Sequence, residues 1–320
     1  MAMKIVTTLL TALLLTGCSD GGHEKRDGAW RYDDNKVQVA HPGTFKPLKG
    51  AFARDAQSGY YRGYAIDGSD GPTFEVIDDY YARDRQRVYF CDTYRKGQEY
   101  YTMKHNRVIA LEGVDPASFK LLKERYARDN SRLYFEGVQV PVKDLNSFEI
   151  LENNFQRDHV TGYYRRMPIA GSDGSTFTVI NTFYTKDKAS VFYSAYDADA
   201  STQPHRTVRV AGASPESFVT RGAGYAADAN QVYHNGKFLT KDVANFEVLP
   251  SLYAKAGSVI YFDGEHVADA DAATFAVLER REEDADARDA RASYLRGVRV
   301  AVTQDKSAGK PMRTDEPRSK

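Results

Sequence analysis

Apolar and polar positions alternate along this chain in a fixed phrase that returns eight times. Its marker is a phenylalanine, at Phe45, Phe74, Phe119, Phe148, Phe177, Phe218, Phe246 and Phe275. Four residues before each stands a polar residue: His41, Asp70, Asp115, Asp144, Asp173, Ser214, Asp242 and Asp271. The residue just before each Phe is Thr, Ser or Asn. Seven residues after the first seven comes an aromatic: Phe52, Tyr81, Tyr126, Phe155, Tyr184, Tyr225 or Tyr253. Three residues further is Asp55, Asp84, Asp129, Asp158, Asp187 or Asp228, with Ala256 in the seventh copy. A period of this length marks a repeat architecture.

Each piece predicts an element. Asp115-Pro116-Ala117-Ser118 reads as one helical turn. The Asp accepts from free N–H groups at its start, and Pro suits the first helical position because its missing N–H would be unpaired there. Phe119 closes the turn onto the core, and the run from Phe119 to Ala127 reads as a strand. Asp129-Asn130-Ser131 supplies turn chemistry through short side chains that bond the local backbone. Leu133–Phe135 and Val138–Val140 read as second and third strands around Glu136-Gly137, as do the copies around Asn235-Gly236 and Asp263-Gly264. The predicted unit is three short strands plus one helical turn in about 29 residues. Such a unit buries its apolar faces only by stacking on neighbours. The fold expected is therefore an all-β tandem repeat array, solenoid-like, with a β-propeller as the alternative. Seven full copies run from Phe52 to Leu278, with a half copy before them (30–48) and a degraded copy after, around Tyr294. Adjacent tyrosines such as Tyr60-Tyr61 and Tyr163-Tyr164 should point one inward and one outward.

A longer period overlies the short one. Residues 60–77 and 163–180 match at 12 of 18 positions. This marks a duplicated block of three repeats. The middle repeat of each block carries an insertion, Cys91–Ile109 and Ser194–Thr207, and these gather Tyr94, Arg95, Tyr100, Tyr101 and Tyr196. Insertions in arrays collect on binding faces, so these five residues are the candidate binding residues, and both loops are expected on one side of the array.

Composition limits the chemistry. The 320 residues carry 44 basic and 44 acidic side chains, so no net basic field attracts nucleic acid, which is not expected as a partner. Twenty-two Tyr and 16 Phe accompany one Trp, which favours strands and weakens a glycan-binding stripe. Familiar catalytic and phosphate-binding patterns do not occur, so neither a catalytic residue nor a cofactor is expected. The repeated Asp read as turn and cap residues rather than calcium ligands. Asp67-Gly68-Ser69-Asp70-Gly71 lacks the alternating carboxylates and closing Glu of a calcium loop, and Asp67 becomes Ala170 in the sister copy. Cys91 reads as a half-buried thiol rather than a nucleophile.

The first residues differ from the rest. Ile5 to Leu15 form a short apolar run after Lys4, too short to span a bilayer as a helix but suited to a signal peptide. Leu15-Thr16-Gly17-Cys18 resembles the lipobox of bacterial lipoproteins. That resemblance implies a signal peptide at 1–17, acylation of Cys18 and anchoring to membrane lipid. Ser19 after the Cys implies, by the same resemblance, sorting to the outer membrane, facing the periplasm or the surface. Residues 18–29 read as a flexible tether, 30–302 as the repeat domain and 303–320 as a disordered tail. The phrases at 126–135 and 184–193, with Gly113–Phe119, resemble the DKNYY repeat family of bacterial exported proteins. The resemblance implies repeats and export and no particular activity. The function expected is a non-enzymatic module that binds a protein or an envelope polymer. The alternatives are a carbohydrate-binding surface protein and an enzyme with a site assembled across repeats.

Overall fold

A computed structural model describes residues 22–196, 205–282 and 284–300. The protein is all-β. Its described strands form nine small antiparallel sheets in chain order, a three-stranded one at 23–36 followed by eight four-stranded ones, and each sheet pairs only consecutive strands. The four-stranded sheets occupy 46–65, 75–110, 120–140, 149–168, 178–209, 219–240, 246–266 and 276–300. None closes into a barrel. The chain divides into two compact units, Met1–Leu145 and Asn146–Lys320. The division falls between the two duplicated blocks, so the first unit holds sheets one to four and the second holds sheets five to nine.

Each repeat has four strands, not the three expected. The run after Phe119 is two strands, Lys120–Leu121 and Tyr126–Arg128, paired antiparallel. Between them Glu124 and Arg125 take positive φ (56° and 64°), as do Asn153-Asn154 and Ser251-Leu252 in two other copies. Only the Asn pair is a composition that favours this conformation. In other copies an Asx turn does the same job, with Asp78 Oδ1 accepting from the N–H groups of Tyr80 and Tyr81. The expected helical turn is a 3₁₀ turn at Gly71–Thr73, Leu145–Ser147 and Gly174–Thr176. At Asp115-Pro116 it is a simple turn, where Asp115 Oδ1 does accept from Ala117 N.

Both ends are more regular than expected. His23–Arg26, assigned to the tether, is a strand paired with Ala29–Tyr32. Asp27-Gly28, with φ of 52° and 75°, is the hairpin turn between them. The degraded last copy is a full four-stranded sheet.

Within each unit the core lies between successive sheets. In the first unit Tyr60 packs with Tyr32 and Phe45 of the preceding elements, whereas its neighbour Tyr61 packs with Phe52, Phe74 and Tyr89 toward the next sheet. Tyr81, Val88 and Phe90 then pack with Phe119 and Tyr134. The second unit repeats the pattern, with clusters around Phe177, Phe218 and Tyr294. The Tyr pairs therefore do not split into one buried and one exposed ring. Tyr60 and Tyr61, and Tyr163 and Tyr164, are all buried, because each ring of a pair meets an aromatic on its own side: Phe45 and Phe52 in the first unit, Phe148 and Phe155 in the second. In the Phe column, Phe45, Phe74, Phe119, Phe177 and Phe218 are buried, and Phe148, Phe246 and Phe275 are half-buried.

The polar columns hold each junction to its sheet. Asp228 Oδ1 accepts from the N–H groups of Asn230 and Gln231, while Oδ2 accepts from Ser214 N and the Tyr233 hydroxyl at 2.8 and 2.9 Å. Asp55 and Asp84 make the same four bonds, with His41 and Tyr60 or with Asp70 and Tyr89. The Ser or Thr before each Phe accepts from the N–H after the Asp, as Ser217 does from Ala229. The basic residue before the Asp reaches the next junction: Arg54 donates to Pro72 O, Arg83 to Pro116 O and Lys186 to Pro215 O. Neighbouring sheets are joined again where Tyr81, Tyr184, Tyr225 and Tyr253 accept from the turn N–H of Gly137, Gly236, Gly264 and Gly297. The copy that has Ala256 turns instead through Gly257 at φ 58°, and its Tyr261 is only half-buried.

Candidate functional site

The repeated Asp are consumed by the fold. Burial pushes their carboxyls up, but the hydrogen bonds they accept outweigh it and hold Asp55, Asp84, Asp129 and Asp228 below the usual carboxylate range. In the loop considered for calcium, Asp70 pairs with Arg85 and the Ser69 hydroxyl joins Gly59 N to Ile66 O. Among the described residues no three His, Cys, Asp or Glu side chains converge as a metal set. Cys91 is fully rather than half buried, and burial pushes its thiol up, so it is poorly suited to nucleophilic chemistry.

The insertions are long hairpins grown on regular sheets. In the first unit Val88–Tyr94 pairs with His105–Ala110, from Tyr89 opposite Ala110 to Tyr94 opposite His105. In the second unit Val191–Tyr196 pairs with His205–Arg209, ending at Tyr196 opposite His205. Both hairpins thus end in a Tyr facing a His, with ring centroids 5.3 Å apart in each. The sequence hid this match, because the Tyr–His spacing is eleven residues in one hairpin and nine in the other. Residues 197–204 lie outside the described residues, as does Cys18.

The first hairpin brings four of the five candidates together. Arg95 Nη1 donates to Tyr100 O at 2.7 Å, and the Tyr100 and Tyr101 rings meet edge to face at 5.2 Å. Glu99 lies 2.9 Å from His105 Nε2, the ring that faces Tyr94. Residues 94–104 are all exposed, and Tyr101 is 89% exposed with Tyr100 and Met103 about half exposed. Tyr196, the fifth candidate, belongs to the other hairpin and is also exposed. Below the tip, Arg107 and Arg125 lie over the rings of Phe90 and Tyr80, and Glu136 pairs with Arg125. These contacts brace the base of the hairpin against the fourth sheet.

Residues 139–196 and 155–297 match the model of the DKNYY family. Over that stretch the chain is similar to the repeats of the DKNYY family. The matched DKNYY repeats span sheets five to eight in full and continue into the fourth and ninth. No curated protein and no solved structure matches the chain. Among the described residues no helix is long and apolar enough to cross a membrane.

Proposed function

We propose that this protein is an exported, lipid-anchored binding module that presents the Val88–Ala110 hairpin to a protein or envelope polymer. The observation that carries the reading is the tip. Eleven consecutive exposed residues (94–104) hold three tyrosines and Met103, beside Arg95, Lys96 and Lys104. Exposed aromatic and Met side chains grouped with Arg are the composition of interface centres. The tip's internal bonds fix its shape before binding, which lowers the ordering cost of association. A photo-crosslinking residue at Tyr101 of the full chain should give a defined adduct in cells. The double variant Arg95→Ala/Tyr100→Ala should reduce the adduct at least tenfold. The same adduct from position 138, where Val138 is exposed on another sheet, would overturn the reading.

Anchoring rests on the Leu15–Cys18 phrase. Two or three acyl chains on Cys18 hold a protein firmly, at about 0.8 kcal/mol per buried methylene. Cys18→Ser is expected to abolish incorporation of labelled palmitate and to remove the folded array from the lipid-bound fraction. Continued labelling of the variant would show that Cys18 is not the acceptor. Ser19 leads to an outer-membrane location, and recovery in the inner membrane would exclude that sorting.

A further inference from the structure

The first hairpin has an open edge. Val88–Tyr94 lies inside its sheet, whereas His105–Ala110 is the last strand of that sheet, so no described strand pairs with its far side. An antiparallel ladder bonds every second residue to the partner and turns the others away. Leu111 N donates to Val88 O, while Cys91 N turns from this ladder to Tyr80 O. That phase sends the main-chain N–H and C=O groups of Asn106, Val108 and Ala110 outward. Val108 and Ala110 are exposed.

Proteins blunt such edges with short strands, Lys, Pro or bulges. The other fourth strands do so. They hold two to five residues, Met167–Pro168 ends in Pro, and Lys237–Thr240 begins with Lys and carries a register shift. His105–Ala110 holds six residues in unbroken register, without Pro or Lys. Its arginine, Arg107, is turned onto the sheet, pairing with Asp92 at 3.0 Å and lying over the Phe90 ring. The opposite edge of the hairpin is closed at Thr93, whose N–H donates to Asp92 Oδ1 at 2.6 Å.

The open edge runs into a cationic tip. Arg95, Lys96 and Lys104 are exposed, and among the described residues no carboxylate pairs with them. Glu99, the one carboxylate of residues 94–104, is held by His105. Arg95 donates to Tyr100 O, a contact that aims the guanidinium without neutralising it. The Tyr100 and Tyr101 rings meet at 78° and so offer no flat pair for a sugar ring.

We propose that an extended acidic peptide adds to His105–Ala110 as a fifth strand, with its carboxylates on Arg95, Lys96 and Lys104. Main-chain bonds to Asn106, Val108 and Ala110 supply the affinity, and the cations select the charge. With the hairpin as the presenting element, on which this assignment rests, the partner becomes a polypeptide rather than an envelope polymer. The probes are fluorescein-labelled Glu-Glu-Thr-Val-Thr-Val-Glu-Glu, the same peptide with Lys for Glu, the same peptide with Pro for Val, and an alginate oligomer. Each is titrated against the full chain by fluorescence anisotropy. The Glu–Val peptide should bind at least tenfold more tightly than the other three. Val108→Pro removes an outward N–H and no bond of the hairpin, so it should weaken that peptide at least tenfold. Val108→Thr keeps the N–H and should bind within about twofold of the parent. Arg95→Gln/Lys96→Gln/Lys104→Gln should bring the Glu and Lys peptides within about twofold of each other. No binding of the Glu–Val peptide, parental affinity in Val108→Pro, or equal binding of the Val and Pro peptides would overturn the added strand. Equal binding of the Glu and Lys peptides to the parent would overturn the charge match, and alginate binding as tightly would overturn the polypeptide. Self-association of the parent in light scattering, lost in Val108→Pro, would assign the edge to a second copy instead. In cells, a Tyr101 adduct unchanged by Val108→Pro would overturn the added strand and leave the hairpin reading standing.

Discussion

Phe177→Ala is expected to cost about 3–5 kcal/mol, the range for deleting a buried aromatic ring. The ring is 1% exposed and lies 6.4 Å from both Phe155 and Phe192. It also fills the space above Gly162, where an added Cβ would come within 2.5 Å of it. The fifth and sixth sheets close on this ring, so its loss leaves a void that rigid strands on both sides cannot fill. Phe148→Ala should cost clearly less, because Phe148 is only half-buried. Urea unfolding compares the two. Equal small losses would mean that the Phe column does not carry the stacking.

Asp228→Ala is expected to cost about 3 kcal/mol or more, since it strands donors that were bonded to a charged acceptor. Two backbone N–H groups of the turn, Ser214 N of the junction and the buried Tyr233 hydroxyl would lose their partner together. Hydrogen exchange should speed up in the seventh sheet first, because stability in a stacked array is carried by near neighbours. Protonation should imitate the mutation at Asp228, as at Asp55, Asp84 and Asp129, whose carboxyls the same bonds hold low. Asp289 has the same arrangement, and despite burial its hydrogen bonds hold it at about 2. A carboxyl held below its unfolded value of about 3.9 stabilises at neutral pH and loses that contribution as pH falls. The array should therefore weaken between about pH 4 and pH 2, and replacing Asp289 by Asn should flatten that slope. An unchanged acid transition in the Asn variant would remove Asp289 from the account.

Reading the sequence succeeded where one spacing has one physical meaning. Asp129 and Asp228 were legible as turn residues because Asx side chains bond nearby N–H groups wherever the chain reverses. The all-β class followed from the strand runs between such turns. The fourth strand was not legible, because Glu124-Arg125 and Ser251-Leu252 turn without turn-forming side chains, and stacking imposes the turn. The Tyr60-Tyr61 pair misled for a related reason. Alternation predicts one wet face, and only the neighbouring sheets reveal that there is none. His23–Arg26 looked like a tether because its polar side chains outweighed the Asp27-Gly28 turn signal. At the candidate sites, Tyr94, Arg95, Tyr100 and Tyr101 stood out as a cluster in an insertion. Their histidine partners did not, since only strand register shows that His105 faces Tyr94 and His205 faces Tyr196.

The close glycines have a consequence for how such a chain can lengthen. Gly71 and Gly174 sit where a Cβ would come within 2.3 and 2.0 Å of the backbone oxygens of Asp55 and Asp158. Other copies place Pro116, Pro215 or Ala272 at that position. The interface that requires glycine occurs in both duplicated blocks, together with Gly59 against Phe74 and Gly162 against Phe177, and not in the copy with Ala272. Neighbouring repeats are therefore not interchangeable parts. A chain extended by a whole three-repeat cassette keeps every ring opposite the glycine shaped for it. Inserting a single repeat next to Phe74 or Phe177 would place another surface against the ring that Gly59 or Gly162 accommodates.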